Sequence, residues 1–290
     1  MLDLLLQSVV SGILVGSVYA LVALGLALTF GAMRIINLAH GELVLLAAYT
    51  AYALESRAGL NPYAAIPLAL IATALVSAVL YLLLDRIREH RELNSLIFTF
   101  AAGIILTNAI LLVFKSDVRS TNSPALQDAV SFGNVFAMRG ELVALALSLG
   151  LMALLWWWLR RSWYGRAVRA VSSNRDAAML MGIDPTRTEL VAFLVAGFLA
   201  SFAGVALYTI TVVQPALGHG LTVKAFIVTV LAGVGSIPGV FAAALLLGVT
   251  EALTVTLASS ALQELAGMFL FLLVLFVLPS GLFGARARRG

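Results

Sequence analysis

Residues 4–33 form a stretch of thirty positions without one charged side chain, and no other feature restricts the fold as tightly. A helix needs about 20 apolar residues to cross the hydrocarbon core of a bilayer. Six more charge-free stretches follow, at 58–84, 93–114, 142–159, 190–223, 225–250 and 265–285. Two shorter ones, 43–54 and 252–263, lie between acidic residues. The strands of a membrane barrel would alternate apolar and polar residues, whereas these runs are continuous and rich in Leu and Ala. The first run has only Asp3 before it and exceeds the apolar core of a signal peptide, about 7–15 residues, so it is expected to be the first span.

Composition closes the other routes. Of 290 residues, 62% are hydrophobic and 11% charged, against roughly 25% charged in a soluble domain. Such a chain cannot cover a water-soluble globule. A soluble enzyme, a nucleic-acid-binding domain and a disordered chain are all excluded, despite the net charge of +4. The expected fold is all-α: one polytopic membrane domain over residues 1–290, with eight or nine spans including broken or re-entrant helices. The expected spans are 4–30, 41–55, 62–85, 94–114, 141–160, 189–212, 222–235, 237–257 and 262–280. With no cysteine, there is no disulfide framework or thiolate chemistry. His40, His90 and His219 are too scattered for a metal site.

Arginines gather at Arg86, Arg88 and Arg91, at six positions from Arg160 to Arg187, and at Arg286, Arg288 and Arg289. By the positive-inside rule these segments are cytoplasmic. The C-terminus is then inside and the N-terminus outside, which requires an odd number of crossings. Arg57, Lys115, Arg119, Arg139 and Lys224 fall outside or near it, and Glu251 and Glu264 read as interfacial.

Two segments interrupt the apolar pattern. One runs from Gly31 through Asn37, His40 and Glu42; the other is Gly233-Val234-Gly235-Ser236-Ile237-Pro238-Gly239. Irregular backbone at membrane depth is tolerated where protein or a water-filled cavity covers it, and transporters place such breaks near their substrate path. Asn37, His40, Glu42, Gly233, Gly235 and Ser236 are therefore candidate pathway residues; ordinary interfacial loops are the competing reading. Gly12, Gly16, Gly25, Gly197 and Gly204 are read as close helix contacts, and Trp156 to Trp158 as an interfacial anchor.

The polar segment 161–188 is expected to be a cytoplasmic loop. Within it, 174–182 reads as a short helix capped by Ser173 or Asn174, with Asp176 in its first turn and Gly182 after its last. A helix this short is unstable alone and must dock on something: its own membrane domain or a soluble partner.

Asp176-Ala177-Ala178 followed by Gly182 resembles the coupling motif of ABC importer permeases, with Asp176 in place of the usual Glu. Met33-Arg34-Ile35-Ile36-Asn37-Leu38-Ala39-His40-Gly41-Glu42, Gly165-Arg166-Ala167, Gly233 to Gly239 and Leu278-Pro279-Ser280-Gly281-Leu282-Phe283-Gly284 resemble, in order, the LivH-like permeases. The resemblance implies a bacterial or archaeal cytoplasmic-membrane importer for branched-chain amino acids, with urea, short amides or small carboxylates as alternatives. It also implies a second permease subunit (a LivM-like paralogue or a second copy), two cytoplasmic ATPase subunits and an extracytoplasmic solute-binding protein. Arg175, Asp176, Ala177, Ala178, Met179, Met181 and Gly182 become candidate ATPase-coupling residues.

The chain carries no G-x-x-x-x-G-K-[ST] phosphate loop, so ATP and Mg are expected on partner subunits, with no cofactor in this chain and no nucleic acid or metal. A stand-alone secondary transporter is the competing class, since two broken segments in separate halves fit it as well. A membrane hydrolase finds no support, for G-x-S-x-G and H-E-x-x-H are both missing.

Overall fold

The computed structural model describes residues 1–87, 89–233 and 235–283. Arg88, Val234, Gly284 and the arginines at 286, 288 and 289 lie outside the described residues, as does the C-terminal end whose side was inferred from them.

In chain order the helices are α1 (Leu2–Met33), α2 (His40–Ala58), α3 (Ile66–Leu84), α4 (Arg91–Phe114), α5 (Pro124–Gln127), α6 (Arg139–Arg161), α7 (Trp163–Ser173), α8 (Arg175–Leu180), α9 (Pro185–Ile210), α10 (Leu217–Ala232), α11 (Ile237–Leu257) and α12 (Gln263–Val277). A small antiparallel hairpin, β1 (Ala129–Phe132) with β2 (Val135–Met138), pairs Ala129 with Met138 and Phe132 with Val135. Among the described residues, seven helical segments are long and apolar enough to cross a membrane. Those seven, with α2 and the 16-residue α10, account for the nine expected spans.

The nine long helices alternate in direction. At one end, Gln7 bonds the backbone of Phe136, Glu55 bonds Thr121, Tyr63 meets Thr209 and Ser8 meets Thr256. This hairpin end therefore collects the starts of α1, α3, α6 and α12 and the ends of α2, α4, α9 and α11. The opposite, arginine-rich end collects α7, α8, the ends of α1, α3, α6, α10 and α12 and the starts of α4, α9 and α11.

α1 is the centre of the bundle. Nearly every residue from Gly16 to Thr29 is buried, so it is apolar all round because it meets protein all round. Small residues set its packing. A Cβ on Gly12 would lie 2.6 Å from Val249 Cα, and one on Gly16 2.8 Å from Ala244 O, so α1 and α11 touch backbone to backbone. Gly197 abuts Ser77 of α3, and Gly204 meets the Val44 carbonyl of α2. Lipid tails are as apolar as Leu, so close backbone approach rather than a hydrophobic drive holds such helices together. α3, α4, α6 and α12 instead expose Leu, Ile and Phe on their outer faces, as lipid-facing helices do.

Candidate translocation and coupling sites

The first broken segment turns inward. Arg34 closes α1 in the left-handed region (φ 54°), its N–H donating to the Phe30 carbonyl. The Asn37 side chain then accepts the Ala39 N–H at 3.1 Å and folds the chain into α2. Thr99 of α4 supports the unwound residues, accepting from the Leu38 N–H and donating to the Ile36 carbonyl. As a result α2 begins inside the bundle: His40 is fully buried and its Nε2 donates to the Val22 carbonyl, well within α1, at 2.9 Å. The ring occupies a notch at Gly25, where a Cβ would lie 2.6 Å from it.

α10 starts at the same depth. The Gly41 N–H donates to Thr222 Oγ1 at 2.8 Å, and a Cβ on Gly218 would lie 2.9 Å from Glu42 Oε1. Two helix N-termini thus face one another, with Glu42 in the first turn of one against the first turn of the other. A carboxylate there complements the positive ends of two helix dipoles. Glu42 Oε2 and His40 Nδ1 are buried with no hydrogen-bond partner among the described residues.

The second broken segment lies elsewhere. Gly233 sits 15 residues beyond Gly218, about 22 Å further along α10 at 1.5 Å per residue. Gly233 and Gly235 both take positive φ (84° and 90°), which glycine adopts without strain. Ser236 Oγ accepts the Gly239 N–H and starts α11. The last carbonyls of α10 are capped by the returning chain, through Leu282 N–H to Leu231 and Phe283 N–H to Ala232. Gly235 and Ser236 line a cavity of about 480 Å³ with Trp156, Arg160, Arg169 and Phe283. Asn37, His40 and Glu42 come together; Gly233, Gly235 and Ser236 form a separate group at the arginine-rich end.

The short helix in the polar segment forms as α8. Asn174, not Ser173, is its cap, accepting the Ala177 N–H at 3.0 Å. At its other end Gly182 (φ 80°) donates to Met179 O and Ile183 to Ala178 O, the bond pair of a Schellman motif. Pro185 opens α9, whose N-cap is Asp184. Ala178 faces inward and is only 4% exposed, whereas Leu180 and Met181 are 89% and 82% exposed and Met179 nearly half so. Asp176 and Ala177 are exposed too.

Arg175 ties this helix to the bundle. Its Nε lies 3.0 Å from Glu189 Oε1 in α9. The same carboxylate takes Arg91 of α4 at 2.6 Å and the Tyr81 hydroxyl of α3 at 3.2 Å. Glu189 is 1% exposed, a buried carboxylate with three donors.

Sequence reasoning missed that clamp and a second one. Lys224, expected outside or near it, and Glu251, expected at the interface, are paired between α10 and α11, with Glu251 buried. Lys224 Nζ sits 2.8 Å from Glu251 Oε2 and 2.9 Å from the Tyr19 hydroxyl; that hydroxyl donates to Glu251, as does Gln263. The available signal was Lys224 itself, the lone charge between Glu189 and Glu251, since an ionisable residue inside a span usually faces the bundle interior.

A bundle of alternating apolar helices, two of which begin at depth, with a capped helix held at one end, defines a multi-pass membrane protein. Residues 8–278 match the family described as branched-chain amino acid transport system / permease component, and the chain belongs to that family. It is 29% identical to the high-affinity branched-chain amino acid transport system permease protein BraD of Pseudomonas aeruginosa, over 96% of this chain and 95% of the relative. The permease protein LivH of Escherichia coli is also 29% identical, over the same shares. The probable LivH of Methanocaldococcus jannaschii is 27% identical, over 94% of this chain and 90% of its own.

Proposed function

We propose that the chain is the membrane-spanning subunit of an ATP-driven importer for branched-chain amino acids. The relatives it matches nearly end to end carry that substrate in their names. In this reading the arginine-rich end is cytoplasmic and the hairpin end faces the solute-binding protein. A second permease subunit, LivM-like or a second copy, completes the pathway, and two ATPase subunits bind below. ATP and Mg reside on them.

The observation that carries the ATP-driven reading is α8. It is held to α9 and α4 through Glu189, yet offers Met179, Leu180 and Met181 to solvent. Three adaptable apolar side chains on a rigidly mounted helix suit a protein partner. Movement of a docked ATPase reaches α9 through Arg175 and Glu189, and α9 packs along α1, α2 and α3. That is a differential contact able to bias two states of the bundle. Asp176 and Ala177 complete the exposed face, while Ala178 and Gly182 fix its shape.

Asn37, His40 and Glu42 hold the two helix starts that border the central route. Gly233, Gly235 and Ser236 form its cytoplasmic mouth beside Arg160 and Arg169. Leu180→Arg tests the docking: the variant inserts and folds but loses the ATPase on co-purification, or loses uptake. Retention of both returns the chain to the stand-alone carrier class.

A further inference from the structure

At the hairpin end a cavity of about 310 Å³ lies between α1, α9, α10 and α12. Its walls are Val15, Val18, Leu207, Ile210, Leu217 and Leu221, and its polar groups are Tyr19, Thr211, Lys224, Gln263 and Glu264. The first turns of α10 line it through Leu217 and Gly220, so the positive end of a helix dipole adjoins it. Lys224 adds a full charge. An ammonium has three donors; Glu251 and Tyr19 take two, and the side chain is still 19% exposed. Glu251 is spent on Lys224, Tyr19 and Gln263 and stands behind the lysine. Glu264 is exposed beside the cavity. A fixed cation, an aliphatic wall and a carboxylate nearby thus share one space, of the size that small-molecule sites occupy.

We propose that this cavity receives the substrate on its entry side, with Lys224 holding the α-carboxylate of a zwitterionic aliphatic amino acid and the Val and Leu wall holding its side chain. The inference rests on the import function proposed above and names the group that selects the substrate head. Lys224 and Tyr19 are then binding residues, and Glu251 is a positioning residue that keeps the lysine charged and aimed. A pair serving only to tie α10 to α11 would tolerate neutral hydrogen-bonding replacements, because swapping both buried ions for well-packed neutral groups is often neutral in stability.

The test uses the whole importer, permease with ATPase and binding protein, in proteoliposomes. The chain has no cysteine, and a Cβ at Gly220 meets nothing within 4 Å, so Gly220→Cys reports on the cavity. Leucine-loaded binding protein with ATP is expected to slow its labelling by a thiol reagent at least five-fold, and Lys224→Gln to abolish that protection. The double variant Lys224→Gln, Glu251→Gln is expected to lower leucine uptake at least ten-fold while Lys224→Arg keeps more. Uptake retained in the double variant overturns the proposal. If the double variant does not assemble, absence of leucine protection at Gly220→Cys alone overturns it. Lack of ATP-dependent leucine uptake by the parent importer would instead refute the import function.

Discussion

Glu189→Ala strikes where α8 joins the bundle. The substitution removes the acceptor for Arg91 at 2.6 Å, Arg175 at 3.0 Å and Tyr81 at 3.2 Å. Breaking a buried ion pair by deleting one partner costs roughly 3–5 kcal/mol, because the other charge is left uncompensated. Here the two arginine side chains keep 22% and 39% of their surface and can turn to water, so the lower end applies, about 3 kcal/mol. By the proportion found for large globular domains, that is a fall of about 6–12 °C in Tm. Glu189→Gln retains an acceptor and falls less. The assay pairs thermal unfolding of the detergent-solubilised importer with uptake per ATP hydrolysed. Both variants should keep the ATPase bound, since Leu180 and Met181 are untouched, but Glu189→Ala should hydrolyse ATP with little uptake. An unchanged Tm together with unchanged coupling would refute the claim that α8 acts through Glu189.

Two further predictions concern packing and sidedness. Gly41→Val should prevent α2 and α10 from meeting, because a Cβ there would overlap the Gly218 carbonyl and Thr222 Oγ1; a loss of at least about 1–3 kcal/mol is expected from overpacking. Gly150→Ala, where a Cβ meets nothing within 4 Å, should instead gain about 0.5–1 kcal/mol of helix propensity, and thermal unfolding of the two variants checks the contrast. Ser173→Cys should resist a membrane-impermeant thiol reagent until cells are opened, whereas Asn134→Cys in the hairpin should react in intact cells.

The spans were legible because crossing a bilayer requires uninterrupted apolar length, which sequence displays directly. α8 was legible because Asn174 and Gly182 act through their own backbone neighbours, so capping is local chemistry. Its inward and outward faces were not: Ala178 looked like a partner contact and proved buried within the chain. Depth was also hidden. A break in an apolar run marks where a helix stops but not how far the next one begins inside the bundle. The Asn37–Glu42 and Gly233–Ser236 breaks therefore read as two sides of one route, and the sequence does not show that most of the length of α10 separates them. Lys224 with Glu251, and Arg91 and Arg175 with Glu189, are pairings between separate helices. Only the packing of α10 against α11, and of α4 and α8 beside the start of α9, brings those charges together, and nothing in their spacing announces it.

The central claim, that this chain is an ATP-powered pathway and not a carrier in its own right, meets its most direct test in proteoliposomes. Leucine uptake should be measured with the permease alone, with the full complement of ATPase and binding protein, and with that complement carrying Leu180→Arg. The account predicts uptake only in the complete assembly with ATP, and its loss in the variant. Uptake by the permease alone, driven by an ion gradient and indifferent to ATP, would contradict it.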